Sequence, residues 1–147
     1  MLYGHLPTAE EKASFQAGIN SAAGMPSDIL GHLKAFPKDA PPMATLSSLI
    51  SVLAAHNTDD LGVAVEGESF TRPLYTIMAQ VLELAAGQYR VNLGKTPNTY
   101  NPDLSYAANF MHLMFSEPGQ PYEVLPAVEK AMDLFLILHA DHEQNCS

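Results

Sequence analysis

The chain has 147 residues, of which 47% are hydrophobic and 16% charged, long enough for one domain with a true core and too apolar to be disordered. Sixteen Asp and Glu against seven Lys and Arg give a formal charge of −9, which argues against nucleic-acid and anionic-membrane partners. The single cysteine, Cys146, excludes an internal disulfide framework and fits a reducing compartment, here expected to be the cytoplasm.

Helix signals recur along the chain and strand signals are nearly absent. Leu6-Pro7-Thr8 leads into Ala9-Glu10-Glu11, so Thr8 is the expected N-cap and Glu11 completes a capping box for a helix running to about Ala22. Ser27 or Asp28 then caps a short helix carrying Ile29, Leu30, Leu33 and Phe36, which stops before Pro37. Pro41-Pro42 opens a third, with Met43, Leu46, Leu49, Ile50 and Leu53 at helical spacing. Residues 57–67 read as a connector.

A longer helix is expected over 69–91, with Leu74, Ile77, Met78, Val81, Leu82 and Ala85 on its apolar face and Pro73 tolerated in the opening turn. Residues 93–102, with Gly94, Pro97, Asn98, Asn101 and Pro102, form a loop. Asp103 caps a helix over 104–115 that places Tyr106 and Asn109 on one face, and residues 116–121 break the chain again. The last helix runs from about Val124 past Leu138. The fold class is all-α, a multi-helix bundle of about six helices. No signal peptide is evident, and the longest apolar run, 134–138, is far too short to span a bilayer.

That last helix carries the chemistry. Residues 134–138 are apolar on every side, which predicts a position at the centre of the domain. Directly after them come His139, Asp141, His142 and Glu143, with Asn145 beyond. If the helix continues, His139 and His142 share a face at i, i+3. The acidic residues there oppose the helix dipole, and the nearest lysine on the helix is Lys130. Three readings fit such a cluster: a solvated helix end, a metal site, or a pocket donating hydrogen bonds to an anionic ligand. The spacing matches neither H-E-x-x-H nor H-x-x-E-H. Arg72 and Arg90 are the only arginines, so any cluster of arginines for an anion is small. His5, His32, His56 and His112 are separated in sequence and read as structural or surface histidines. The methionines at 43, 78, 111, 114 and 132 read as packing, and Cys146 as inert.

The run Leu138-His139-Ala140-Asp141-His142-Glu143-Gln144-Asn145-Cys146-Ser147 closely resembles a segment of bacterial citrate synthases. The run 103–110, followed by Met114-Phe115-Ser116, resembles another, and Phe36-Pro37 through Pro42-Met43 echoes a third. The resemblance implies an acyltransferase of the tricarboxylic acid cycle that condenses acetyl-CoA with oxaloacetate. The fold it implies is almost entirely helical, and the assembly a homodimer or larger. It needs no cofactor, since acetyl-CoA is a substrate. His142 matches the histidine that hydrogen-bonds oxaloacetate, Asn145 a neighbouring pocket residue, and His139 a histidine supporting the pocket without touching substrate. The family's acid–base motifs, G-P-x-H-G-G and G-x-G-H-x-x-Y, do not occur here, nor do the later arginines that clamp oxaloacetate. The resemblance therefore implies an incomplete chain. Residues 1–147 would be part of the large helical domain, without the rest of it and without the small domain, and inactive alone. A 2-methylcitrate synthase parent and a non-catalytic helical interaction module are the alternatives. No Gly-rich phosphate loop offers a nucleotide site for regulation by NADH.

Overall fold

The computed structural model describes residues 4–58 and 71–140. Among them are six helices and no strand: α1 (Ala9–Ala22), α2 (Ile29–Lys34), α3 (Pro42–His56), α4 (Thr71–Asn92), α5 (Tyr106–Phe115) and α6 (Pro126–Ala140). No helix of the described residues is long and apolar enough to cross a membrane.

Local chemistry sets several of these boundaries. At the start of α1, Thr8 Oγ1 accepts the Glu11 N–H at 3.2 Å and Glu11 Oε2 accepts the Thr8 N–H at 2.7 Å, the expected reciprocal pair. Pro42 opens α3 at a position whose N–H would have no helical partner. Two expected caps are corrected. The Asp28 side chain does not cap α2; its carboxylate lies 3.5 Å from His56 Nε2 instead. Helix α5 begins at Tyr106, because Ser105 Oγ accepts the Ala108 N–H, whereas the Asp103 N–H is held by Asn101 Oδ1.

Helix α4 is the post on which α1, α2, α3 and α5 pack, while α6 packs on α5. Ile29, Leu33, Leu49, Leu53 and Leu84 form one apolar cluster between α2, α3 and α4. Leu82, Ala86, Tyr100 and Leu113 form a second between α4, α5 and the loop joining them. Each such leucine or isoleucine contributes about 1.5–3 kcal/mol by leaving water. Met43 and Ile50 lie on the exposed side of α3, contrary to the packing role expected of them, as does Ile77 on α4.

The buried side of α4 is more polar than the apolar periodicity suggests, with Gln80, Glu83, Gln88 and Arg90 all buried. Three of the four hold a distant segment of the chain. Gln80 donates to the Gly24 carbonyl and accepts from Asn57, and Glu83 accepts the Gly24 N–H at 2.9 Å, so both fasten the α1–α2 turn to α4. Gln88 donates to Asn92 at 2.7 Å. Arg90, 1% exposed, donates to the carbonyls of Thr96 at 2.6 Å, Ser116 at 2.8 Å and Met114 at 3.3 Å.

Asn98 gathers the carbonyls of His112, Leu113 and Ser116, and Asn109 binds both the N–H and the C=O of Asn101, so the α4–α5 loop is folded onto the end of α5. Tyr106 and Asn109 are thus core hydrogen-bonders. The Tyr106 hydroxyl donates to the Met78 carbonyl, and burial, with Tyr100 nearby, pushes it up to about 12. Tyr100 donates to Asn20 Oδ1 at 2.9 Å and ties the same loop to α1.

Helix α1 meets α4 where Gly18 receives the Tyr75 ring; a Cβ there would land inside that ring. Gly18→Ala is expected to destabilise the fold by about 1–3 kcal/mol, read from the urea midpoint by circular dichroism. Burial raises Glu83 above a glutamate's ordinary 4.5, opposed by the hydrogen bond from Gly24. A carboxyl whose pKa rises on folding supports the fold fully below 4.5 and loses that support as pH climbs through the folded value. Glu83→Gln keeps an acceptor for Gly24 and removes this loss. The variant should therefore be more stable than the parent near neutral pH, with the advantage shrinking as pH falls toward 4.5. Denaturation midpoints across that range decide it.

Candidate functional site

The candidate site lies at the C-terminal end of α6. The helix starts at Pro126, with the Leu125 carbonyl accepting from Val128 and Glu129. Its docking to α5 is polar at one point: Ser105 Oγ, which already accepts from Ala108, donates to Glu129 Oε1. Glu129, Met132 and Leu136 are half-buried and spaced for one helix face.

The rest of α6 is open, and none of its residues is buried. Leu134, Phe135, Ile137 and Leu138 are 52–73% exposed. The central, enclosed position expected for 134–138 is thus corrected: among the described residues nothing encloses them. The hydropathy of the run reports what must be covered, and α5 covers only the opposite side.

His139 is the one sequence-predicted site residue among those described, and it is exposed. Its ring lies against the Phe135 ring, centroids 4.0 Å apart, and Nδ1 sits 2.8 Å from the Phe135 carbonyl oxygen. A carbonyl only accepts, so Nδ1 carries a proton, and in the neutral ring the lone pair is on Nε2. The helix backbone thereby fixes both the tautomer and the ring plane. His142 and Asn145, the residues expected to meet oxaloacetate, lie outside the described residues, as do Asp141 and Cys146.

Elsewhere the structure joins residues that sequence separates. The rings of His32 and His56 come within 6.2 Å, beside Asp28. Arg90 is buried, donates to the carbonyls of Thr96, Met114 and Ser116 and lies 3.7 Å from Glu117, so it is a structural cation rather than a member of an anion pocket. Its role was missed in the sequence; the signal was an arginine in the last turn of a helix before an Asn- and Pro-rich loop.

The sequence profile described as citrate synthase, C-terminal domain, matches residues 1–147. The chain belongs to the citrate synthase family. It is 40% identical to the citrate synthase of Corynebacterium glutamicum over 149 residues, covering 100% of this chain and 33% of that protein. Citrate synthase 1 of Mycobacterium tuberculosis H37Rv is 36% identical, with 100% of this chain and 34% of that protein covered. Among solved structures, the citrate synthase of Pyrobaculum aerophilum superimposes with a TM-score of 0.80 at 27% identity, over 97% of this chain and 36% of that one. That of Thermotoga maritima gives 0.72 at 22% identity over 98% and 34%, a likeness of fold. The chain therefore spans about a third of the length of the citrate synthases it matches.

The open face of α6 yields a prediction for the chain by itself. Purified alone, it should bind a hydrophobic dye and elute as oligomers, and Ile137→Lys with Leu138→Lys should shift it toward monomer. A dye-silent parent chain eluting as a monomer would count against this account of the face.

Proposed function

We propose that this chain is part of a citrate synthase, the acyltransferase that joins the methyl carbon of acetyl-CoA to the ketone carbon of oxaloacetate, after which water cleaves the thioester to release citrate and CoA. The observation that carries the reading is the family match over the whole chain. The run 138–147 at the end of α6 adds specificity to it.

In this reading residues 1–147 belong to the large helical domain. His142 donates a hydrogen bond to oxaloacetate and Asn145 lines the same pocket. His139, its Nδ1–H held by the Phe135 carbonyl, supports that pocket from the helix. The condensation also needs a base for the acetyl methyl proton and donors for the developing enolate, and no group assigned here fills either role. The chain alone is therefore inactive. The working enzyme is a cytoplasmic homo-oligomer with oxaloacetate and acetyl-CoA as its small-molecule partners. The apolar side of α6 is consistent with burial in such an assembly.

The test is CoA release from acetyl-CoA and oxaloacetate. The 147-residue chain should give none. A polypeptide extended to the length of the relatives should turn over. In it, His142→Ala should raise the oxaloacetate KM roughly 10- to 100-fold, the loss of one hydrogen bond to a charged group. An extended polypeptide that folds but releases no CoA, or a His142→Ala variant with unchanged KM, would refute the assignment.

A further inference from the structure

Between the C-terminal ends of α2 and α4 lies a groove of about 270 Å³. Lys34, Lys38 and Lys95 line it, three of the seven Lys and Arg in a chain of net charge −9, and no carboxylate does. Leu30, Phe36 and Val91, half-buried against the α2–α3–α4 cluster, form its apolar wall. Asn92 lines it as well, its Oδ1 accepting from Gln88.

The competing explanation is that lysines at helix ends merely neutralise the last carbonyls. The end of α4, however, is already closed by backbone, and that of α2 in part. Gly94, at φ 75°, donates to Val91 O, and the Lys95 N–H donates to Arg90 O, both at 2.9 Å, while Ala35 donates to His32 O at 3.1 Å. The Lys95 ammonium is therefore not needed for capping α4. Lys95 is paired with Glu117, but neither Lys34 nor Lys38 has a carboxylate partner among the described residues. Gathering like charges costs repulsion, and an anion in the groove removes that cost.

We propose that this groove binds a small phosphate ester, its phosphate held by Lys34 and Lys38 beside the Glu117-paired Lys95, and its organic part resting on Leu30, Phe36 and Val91. A phosphate monoester carries nearly two negative charges near neutral pH, which suits the two unpaired ammonium groups of Lys34 and Lys38 better than a single carboxylate does. The groove's small volume fits one ring and its phosphate rather than a long chain. The groove is built by α2 and α4, away from the α6 end, and stands independently of the oxaloacetate assignment.

Phenyl phosphate is the probe, titrated into the chain by calorimetry at low ionic strength, with inorganic phosphate and benzyl alcohol as comparisons. Phenyl phosphate should bind more tightly than either. K34Q/K38Q, whose side chains are exposed, should weaken it by roughly tenfold or more with an unchanged circular dichroism spectrum, and added salt should weaken binding to the parent. F36A should weaken phenyl phosphate but not inorganic phosphate. Equal affinity in the parent and K34Q/K38Q would overturn the proposal. Inorganic phosphate or benzyl alcohol binding as well as phenyl phosphate would overturn it too, and the comparison on the parent chain holds whatever the variants do.

Discussion

A guanidinium taken out of water is costly unless acceptors replace the water, and Arg90 finds three main-chain carbonyls from two separate stretches of chain, with the Glu117 carboxylate 3.7 Å away. The demand works in both directions. Carbonyls at the end of α5 have no helical N–H to accept from, and the side chain that satisfies them enters from α4. Asn98 completes the arrangement by donating to the same region. The α4–α5 loop is thus specified by polar satisfaction as much as by apolar packing, and its shape carries Tyr100 to α1.

The same principle recurs along α4. Glu83 and Gln80 bracket the two backbone groups of Gly24, so the turn after α1 is located by hydrogen bonds from a helix almost sixty residues away in sequence. Apolar clusters on either side of the helix supply cohesion, and these polar contacts supply register. A slipped packing of α1 or α5 would bury the same apolar area but leave carbonyls and carboxylates without partners. The post thereby selects one arrangement among many of similar hydrophobic content.

The legible part of the fold is the part whose causes are local. The Thr8 capping box, the Pro42 start of α3 and the Gly- and Pro-bearing breaks depend on neighbours in sequence, and helices appear where they point. Two caps were misread because Asp28, Asp103 and Ser105 are all good caps, and tertiary partners decide among them: His56 lies beside Asp28, and Glu129 takes the Ser105 hydroxyl. The buried face of α4 was only partly legible, since Gln80, Glu83 and Arg90 look solvent-directed until Gly24, Asn57 and Ser116 are brought to them. At the candidate site, family resemblance singled out His139, His142 and Asn145, whereas charge and spacing alone left three kinds of site open. The apolar run before them announced a covered helix but carried no information on what covers it.

One consequence follows from the way Ser105 grips Glu129 near the start of α6. A helix pinned near one end behaves as a lever. His139 lies ten residues beyond the pin, about 15 Å along the axis, so a tilt of roughly 5° moves it by about 1.3 Å. Productive geometry in an enzyme pocket tolerates about 0.5 Å. The contact with α5 therefore aims this end of the chain without focusing it, and the focusing falls to whatever seats against Leu134, Phe135, Ile137 and Leu138. For the proposed pocket, alignment and burial of that hydrocarbon would then be a single event, in which assembly itself brings the histidine into register.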